Sequence, residues 1–510
     1  YNKKWNQISG IQLGHYSWFT SMDVDKGGNA WVGTVIDGFY VIDMHNFSVT
    51  RTLDIPLLSG NTVRNGIQSI YCDRENNSVW IGLYNQGMCY YHPSMNKIVL
   101  YNKKMINGDW KGEEIRCMLE TSRGEILMGT TQGVYRYEPE TKSMNRFYHE
   151  FSQKNCRVLY EDSKKRVWVG TYHDGLYCID HGKVQSYDYP DTDYQNELDF
   201  SNIRVMVEDS SGRLWVSIYG GVGLFNPENG QINLLSEQFP ELKKYKVANA
   251  LAIDNQSRLV VGSDNGLYIY DPATNKIWIP EQDGQANSIF NQGSIKYNQI
   301  LKDHEGTLWF ATQYGLSVLT YNGQSYTLGK EEGLSKAILN VVEDKNHDIW
   351  ISTVTSIYKI KVDRRADKYS FHVISCLSED EIRQDDLYSF PSLMTRDNQL
   401  FLGLMNGFIA FSPENMIDNQ CLNRPLFTSF RLFNVPVVSG ETYNGRVLFD
   451  KALSYSGEVQ LKYDENYITL EFSGLNFPNP SQTSFRYQLE GFDKEWTETL
   501  FENGQGRVVY

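Results

Sequence analysis

The sequence is poor in cysteine and proline. Its 510 residues include 7 Cys and 14 Pro. The cysteines, at positions 72, 89, 117, 156, 178, 376 and 421, show no CxxC spacing. This odd, dispersed set excludes a disulfide framework and a cysteine-based zinc site, and it predicts buried free thiols. On cysteine usage alone, a reducing compartment is weakly favoured.

Positive charge and long apolar runs are also scarce. Lys and Arg number 48 against 62 Asp and Glu, giving a formal charge of −14, which argues against nucleic acid or an anionic membrane surface as the main partner. No apolar run approaches the roughly 18 residues that cross a bilayer. The first ten residues, YNKKWNQISG, lack an initiator Met and a signal pattern, so we expect a fragment of a longer protein.

Instead, the sequence contains one short motif, the repeated phrase, which occurs nine times. The phrase contains an acidic residue, a turn and then a tryptophan or another apolar residue. That apolar position recurs at intervals of 41 to 51 residues, at Trp31, Trp80, Leu127, Trp168, Trp215, Val260, Trp309, Trp350 and Phe401. A period of this length indicates a repeat architecture.

Each repeat contains four short β-type runs separated by Asp, Asn and Gly, and no sustained helical periodicity. Four antiparallel strands in 40–50 residues are typical of a β-propeller blade. An Asp six residues before the apolar position is expected to cap backbone amides of a hairpin turn, as at Asp162, Asp209, Asp254, Asp303 and Asp344. The Trp is expected to fill the space between blades, where small residues such as Gly170 and Gly262 let the sheets approach.

The units EDSKKRVWVGTYHDGLYCID and VEDSSGRLWVSIYGGVGLFNPENG resemble the regulator-propeller repeat. That repeat builds the periplasmic sensor of hybrid two-component systems in glycan-foraging gut bacteria. The run YQLEGFDKEW, from Tyr487 to Trp496, resembles the Y_Y_Y domain that follows the propellers in this family. The resemblance implies two seven-bladed propellers, a small β-sandwich and, in the full-length protein, a histidine kinase domain that this chain lacks.

We therefore predict an all-β chain of three parts. Residues 1–105 would be the last two blades of an N-terminal propeller, residues 106–420 a seven-bladed propeller, and residues 421–510 a truncated, immunoglobulin-like Y_Y_Y β-sandwich. In the tail, alternation from Tyr467 to Phe472 predicts a half-buried strand. In an alternative count, the first seven repeats form the closed propeller and the last two repeats are left over.

Two sets of residues are candidates for ligand binding. The first lies eleven residues before the apolar position of five successive blades, where equal offsets predict equal height around the axis: Arg116, Arg157, Arg204, Asn249 and Asn298. Neighbouring guanidiniums can receive a carboxylate or sulfate, but blade-to-blade hydrogen bonding explains the same residues. The second set follows the Trp strand and offers rings for sugar faces, or is an ordinary exposed turn: Tyr84, Tyr172, His173, Tyr219, Gln313 and Tyr314.

No catalytic or metal-binding cluster is evident in the sequence. The nine His are dispersed, and the DKNHD turn from Asp344 to Asp348 lacks the Gly and closing Glu of a calcium loop. We predict a non-catalytic periplasmic sensor region without a cofactor, which binds an oligosaccharide, with acidic sugars among the candidates. We expect it to act as a homodimer and to be anchored by a transmembrane helix outside this chain. A propeller glycosidase or polysaccharide lyase is the first alternative, and a protein-scaffolding propeller the second.

Overall fold

The computed structural model describes residues 18–52, 66–92 without 75–76 and 85–86, 99–189, 198–280, 295–377 without 335 and 366–367, 391–416, 425–475, 483–500 and 505–510. The chain divides into two compact units. One comprises Asn96–Met416, and the other comprises Tyr1–Met95 together with Ile417–Tyr510. Cys421 lies outside the described residues.

The unit formed by Tyr1–Met95 and Ile417–Tyr510 contains short antiparallel sheets in both of its chain segments. The first segment holds two sheets whose strands follow chain order: β1 (Phe19–Val24), β2 (Asn29–Thr34), β3 (Phe39–Asp43) and β4 (Val49–Thr52), then β5 (Ile67–Asp73), β6 (Ser78–Leu83) and β7 (Met88–Tyr91). The inner strands β1 and β5 are in contact, and Trp31 packs into the core of the second sheet. This is the packing expected of two neighbouring blades.

The Asn96–Met416 unit is built from seven sheets. Its strands, in chain order, are β8 (Val99–Asn102), β9 (Asn107–Gly108), β10 (Ile115–Glu120), β11 (Ile126–Thr130), β12 (Gly133–Glu138), β13 (Ser143–Arg146), β14 (Cys156–Glu161), β15 (Val167–Thr171), β16 (Leu176–Asp180), β17 (Lys183–Tyr187), β18 (Asp199–Glu208), β19 (Leu214–Tyr219), β20 (Gly221–Phe225), β21 (Ile232–Leu234), β22 (Ala248–Ile253), β23 (Leu259–Ser263), β24 (Gly266–Asp271), β25 (Lys276–Trp278), β26 (Tyr297–Lys302), β27 (Leu308–Thr312), β28 (Gly315–Leu319), β29 (Ser325–Leu328), β30 (Asn340–Glu343), β31 (Ile349–Ser352), β32 (Ile357–Arg365), β33 (Lys368–Leu377), β34 (Ser392–Met394), β35 (Leu400–Leu404) and β36 (Gly407–Phe411).

Helix is scarce in the described residues, as the sequence predicts. The α-helix is a single turn, Leu235–Gln238. Short 3₁₀ turns occupy His149–Phe151, Pro240–Lys244, Lys330–Glu332, Pro413–Asn415 and Leu453–Tyr455.

The seven sheets close into a ring. The inner strands β10, β14, β18, β22, β26, β30 and β34 contact each other in succession, and β34 returns to contact β10. At this junction the Arg396 backbone N–H donates to Glu120 Oε2 at 2.8 Å. The last seven repeats therefore form the complete seven-bladed propeller, and the alternative count from the first repeat is wrong.

The last blade corrects the predicted domain boundary. Its sheet has the order β34-β35-β36-β8, so its outer strand comes from the start of the unit. In the antiparallel register Tyr101 lies opposite Phe408, and the two rings stack at 4.9 Å. Residues 99–102 thus belong to the propeller rather than to the preceding blades, and the boundary lies near residue 96 instead of 105/106. This pairing joins the two ends of the unit in one sheet and completes its four strands.

The repeated phrase acts within each blade and between blades. Asp209 Oδ1 accepts the backbone N–H groups of Ser211 and Arg213 at 2.9 and 3.0 Å, which confirms the predicted cap. Its Oδ2 accepts the Trp215 indole N–H at 3.0 Å, a bond the sequence did not reveal. The same carboxylate–indole bond recurs within the pairs Asp25–Trp31, Asp162–Trp168, Asp303–Trp309 and Asp344–Trp350.

Small residues let the blades approach, as expected. A Cβ on Gly170 would lie 2.7 Å from Ile203 Cγ2 of the next blade. A Cβ on Gly262 would lie 2.7 Å from Tyr297 Cβ. Trp168 and Trp215 each pack into the core cluster of the following blade, so the buried core lies between sheets.

A second contact between blades, which we call the inter-blade clasp, joins a Glu to the turn of the preceding blade. Glu208 accepts the backbone N–H of Ser163 at 2.6 Å and its hydroxyl at 2.7 Å. Glu161 holds Ser122 in the same way, at 2.6 and 2.8 Å. Serine is therefore sufficient for the clasp.

The C-terminal segment forms small antiparallel sheets. Its strands are β37 (Leu426–Leu432), β38 (Val435–Pro436), β39 (Thr442–Tyr443), β40 (Arg446–Val447), β41 (Ile468–Ser473), β42 (Ser484–Tyr487), β43 (Thr497–Leu500) and β44 (Gln505–Val509). The main sheet has the order β38-β37-β41-β44, and pairs β39-β40 and β42-β43 form two further sheets. Phe430, Leu432 and Phe472 are buried, so β37 and β41 each contribute to a core. In β41 the predicted half-buried alternation is incomplete, because Thr469 on the opposite face is buried as well. All six cysteines in the described residues are buried free thiols.

Candidate binding site at the propeller axis

A β-bulge sets the orientation of each residue in the first predicted set. In β10 the register shifts between Ile115 and Cys117, which leaves Arg116 as the extra residue. Corresponding shifts skip Arg157 in β14, Arg204 in β18, Asn249 in β22 and Asn298 in β26. A bulge interrupts the regular alternation of side chains and re-aims one of them. We call these five the bulge residues.

Arg157 is the bulge residue with the fewest partners. Its side chain is partly buried, and its Nε is buried without a hydrogen-bond partner. Its guanidinium lies over the Tyr172 ring, 4.3 Å from the centroid, and no described carboxylate forms an ion pair with it. Burial, and then repulsion by Arg204 and Arg116, lower the pKa of Arg157 to about 10. Arg204 and Arg116 therefore lie close enough to Arg157 to disfavour its positive charge.

Arg204 connects this cation cluster to the next blade. Its guanidinium donates to Asn249 Oδ1 at 3.0 Å, while its Nε is buried without a partner. Burial lowers the pKa of Arg204, although Asp264, Tyr172 and Tyr219 oppose the shift. The amide of Asn249 in turn donates to Asp264 Oδ1 at 2.7 Å and to the Tyr297 carbonyl at 3.3 Å.

The remaining bulge residues have local partners. Arg116 pairs with Glu114 at 2.8 Å, within its own blade. Asn298 donates to the Ile338 carbonyl of the next blade at 2.7 Å, which is the blade-to-blade role that the sequence left open. In the last two blades, Leu339 lies before β30 rather than at a bulge, and Phe390 lies outside the described residues.

Part of the second predicted set meets the first. Tyr172 contacts Arg157, and Tyr172 and Tyr219 both act on the charge of Arg204. Each of these two rings is 37% exposed, so each offers a partial face to a ligand. The turn after the Trp strand and the bulge therefore reach the same rim of the propeller, as predicted.

His173 adds a titratable group to this rim. Its Nδ1 lies 2.9 Å from Oδ2 of Asp199, whose own side chain is 5% exposed. The centroids of the His173 and Tyr172 rings lie 3.8 Å apart, and the backbone of His173 has a left-handed φ of 72°. An imidazole whose Nδ1–H donates to a buried carboxylate leaves Nε2 free to accept a proton or a hydrogen bond.

The other members of the second set, Gln313, Tyr314 and Tyr84, belong to a later blade of the propeller or to the other unit. The Gln313 backbone N–H donates to the Lys296 carbonyl at 3.1 Å, and Tyr314 in the same turn is 61% exposed. Lys296 Nζ lies 3.4 Å from Asp264 Oδ1, so this turn joins the rim through Asp264. Tyr84 follows β6 and belongs to the other unit, so it is not part of this site.

Sequence reasoning missed the carboxylates of this rim. Glu114 and Asp264 were not predicted, although each lies close to a predicted residue in space, and neither was Asp199. No repeat offset marks these residues: Glu114 and Asp264 lie in loops whose sequences differ between blades, and Asp199 begins the extended inner strand β18. The described rim thus sets three guanidiniums against Glu114 and Asp264, and Asp264 is shared with Lys296. With Asp199 included, three carboxylates lie beside three guanidiniums and Lys296, and the guanidiniums without a described ion-pair partner are those of Arg157 and Arg204.

The structure also gathers two histidines that the sequence shows as dispersed. His304, Glu343 and His347 offer ligand atoms that all lie within 4.8 Å of one another. Glu343 ends β30, and the histidines lie in the turns that follow β26 and β30. This cluster is at the clasp end of the inner strands, away from the bulge residues.

Comparisons with known proteins bear on the fold. No protein-family model matches the chain. Over 163 residues, which are 32% of this chain and 11% of the relative, it is 20% identical to histidine kinase P4 of Formosa agariphila. The chain therefore spans a small part of that relative's length.

Two solved extracellular domains match almost the whole chain. One, ascribed to the hybrid two-component system BT3049 of B. thetaiotaomicron, has a TM-score of 0.70 at 20% identity, over 97% of this chain and 63% of that structure. Another, ascribed to the one-component system BT4673 of the same organism, has a TM-score of 0.50 at 21% identity, over 98% and 66%. The predicted resemblance to sensor regions is thus confirmed at the level of fold. In the described residues, no helix is long and apolar enough to span a membrane.

Proposed function

We propose that this chain is the ligand-sensing extracytoplasmic region of a hybrid two-component sensor kinase. In this proposal the propeller binds an oligosaccharide at the rim of bulge residues, and the full-length protein regulates genes for glycan use. The observation that carries it is Arg157, a partly buried cation without a described carboxylate partner, beside Arg204 and Arg116. Its fold likeness to two extracellular domains of signalling systems supports the same reading.

The chemistry of the rim favours an acidic sugar. Desolvated guanidiniums bind carboxylate or sulfate groups through strong, directional hydrogen bonds. A bound anion would relieve the repulsion that Arg204 and Arg116 exert on Arg157. Partly exposed rings of Tyr172 and Tyr219 offer apolar faces to sugar rings beside that charge.

Signalling requires that the ligand favour one of two arrangements of the protein, because tight binding alone shifts no equilibrium. We propose a homodimer whose domains move as rigid bodies, with the membrane segment and kinase elsewhere in the full-length protein. X-ray scattering of this region with and without its glycan measures the change. Identical scattering curves at saturating ligand would contradict the signalling part of the proposal.

The binding part is tested by calorimetric titration with neutral, uronate-containing and sulfated oligosaccharides. We expect binding to be confined to acidic members of the panel. Arg204→Met should weaken it by about 10- to 100-fold, the value of a charge-assisted hydrogen bond. Arg136→Met is the matched control, since Arg136 pairs with Glu125 and Glu138 away from the rim. Equal binding of neutral and acidic sugars would contradict the proposed ligand class.

A second candidate function, polysaccharide lyase, is favoured by the His173–Asp199 pair. A base held beside guanidiniums is what β-elimination from a uronate needs: the guanidinium neutralises the carboxylate, and the imidazole takes the proton from the carbon alpha to it. A carbon–carbon double bond then forms as the glycosidic oxygen leaves the beta carbon and takes a proton from water. Prolonged incubation with uronate oligosaccharides, monitored by ultraviolet absorbance of an unsaturated sugar, separates the two functions. A sensor leaves the oligosaccharides intact, whereas a lyase forms product that is lost in His173→Gln.

A further inference from the structure

We infer that His304, Glu343 and His347 form a binding site for a divalent transition-metal ion, for which zinc is the suitable probe. Among the described residues, they are the group of at least three His, Cys, Asp or Glu side chains whose ligand atoms all lie within 4.8 Å of one another. Two imidazoles and one carboxylate form a ligand set that zinc accepts, with water in the remaining position. The site is independent of the proposed sugar site.

The geometry brings both imidazoles to one carboxylate oxygen. His347 Nδ1 lies 3.1 Å from Glu343 Oε1, and His304 Nδ1 contacts the same oxygen. In a tetrahedral zinc site with bonds of about 2.0–2.1 Å, neighbouring ligand atoms lie about 3.3 Å apart. The spacing between His347 Nδ1 and Glu343 Oε1 is therefore close to that of adjacent zinc ligands, whereas His304 Nδ1 lies nearer to this oxygen and would move away from it to share an ion. The other carboxylate oxygen, Oε2, accepts the His304 backbone N–H at 2.9 Å and fixes the carboxylate.

The two rings are positioned so that modest rotation would admit an ion. They stack with centroids 3.5 Å apart and an interplanar angle of 22°. The side chains of His304 and His347 are 34% and 50% exposed, so both rings are free to turn toward a common centre. Glu305 Oε1 lies 3.9 Å from His304 Nε2, where it can orient that ring from outside the ligand set.

Comparison with the other blades shows that neither histidine is needed for the fold. The inter-blade clasp uses Ser163 with Glu208 where this blade uses His304 with Glu343. The turn position of His347 has φ 66°, whereas the equivalent residue Gly212 has φ 76° and carries no Cβ strain. Two separate departures from the repeat thus place imidazoles at one carboxylate. Other blades carry Lys165 and Ser257 at the turn position and Arg396 at the clasp position, so the fold requires an imidazole at neither place.

The repeat also supplies variants that should keep the fold. His304→Ser restores the serine clasp, and His347→Gly restores the usual turn residue. We expect tag-free protein to bind one Zn²⁺ per chain in calorimetric titration, and each variant to bind it at least about tenfold more weakly. His181→Ser is the control, because His181 pairs with Asp180 alone and is exposed. Its zinc affinity should equal that of the unaltered protein.

A second measurement needs no variant. Co²⁺ added to the unaltered protein should give the intense visible absorption of a four-coordinate site with nitrogen and oxygen ligands, and Zn²⁺ should abolish it. Absence of stoichiometric zinc binding, or zinc binding that is undiminished in both His304→Ser and His347→Gly, would overturn the inference. A cobalt spectrum of hexa-aquo character would overturn it as well.

Discussion

The guanidinium of Arg157 lies 4.3 Å above the ring of Tyr172, with its Nε buried and without a hydrogen-bond partner. Cation–π contact compensates part of the cost of removing this charge from water, but it does not neutralise the charge. Arg204 and Arg116 add repulsion, which together with burial lowers the pKa of Arg157 to about 10. The arrangement is unfavourable for the folded protein alone and favourable for binding an anion.

Replacement of Arg157 by Met should therefore stabilise the protein. Methionine keeps the length and apolar stem of the side chain while removing the repelled charge. We expect the melting temperature of Arg157→Met at neutral pH to rise by about 1–4 °C, the shift that corresponds to roughly 1 kcal/mol or less in a domain of this size. Thermal unfolding followed by circular dichroism measures it. A lower melting temperature would show that Arg157 contributes to stability.

The contribution of the carboxylate–indole hydrogen bond to the free energy of unfolding can be measured by comparing two blades. Asp209 and Asp254 each accept two backbone N–H groups and an arginine Nε, but only Asp209 also accepts an indole N–H. Asp209→Ala leaves the buried Trp215 N–H unsatisfied, at a cost of about 1–3 kcal/mol beyond that of Asp254→Ala. Denaturant unfolding of both variants gives the difference. Equal losses of unfolding free energy would mean that the indole bond adds nothing.

The contribution of Asp209 should depend on pH. Burial raises the pKa of Asp209, but hydrogen bonds from Trp215 and Arg213 outweigh burial and hold it below its ordinary value of 3.8. A carboxylate with a lowered folded-state pKa stabilises the protein above 3.8 and loses that effect as the pH falls through the folded value. The destabilisation by Asp209→Ala should therefore be full at pH 7 and smaller below pH 3.8. An unchanged difference across this range would contradict the assigned bonds.

Because β8 completes the last blade, a propeller fragment must begin before residue 99 to retain its full stability. A fragment starting at residue 96 keeps the outer strand of the last blade, whereas one starting at residue 106 loses it and exposes Phe408. Loss of the Tyr101–Phe408 contact should cost at least about 3 kcal/mol of unfolding free energy. Denaturant unfolding of both fragments, each ending at residue 420, tests this. Equal stability would show that the strand is dispensable.

The sequence predicted the fold well because the fold is periodic. Nine apolar positions, from Trp31 to Phe401, reveal the blades without any long-range information. β8 was assigned to the wrong unit because Val99–Asn102 lacks the repeated phrase and pairs with β36, far along the chain. Such a pairing has no local signal.

The candidate site was only partly predictable. A constant offset located Arg116, Arg157 and Arg204, but the bulges that orient them depend on strand register, which repeat counting does not reveal. The partners Glu114 and Asp264 lie in loops that differ between blades, and Asp199 lies in the N-terminal extension of β18. His304 and His347 occupy different positions of successive turns, so their meeting at Glu343 follows from the packing of blades and not from spacing along one strand.

The central claim is that Arg157 and its neighbours recognise the acidic group of a sugar. The most direct test is the dissociation constant of a uronate tetrasaccharide and of its carboxyl-reduced, neutral counterpart, for the unaltered protein and for Arg157→Met. The account predicts that the unaltered protein prefers the uronate by about 10- to 100-fold and that Arg157→Met, folded and at least as stable, loses this preference. A preference of the same size in both proteins, or none in the unaltered one, would contradict it.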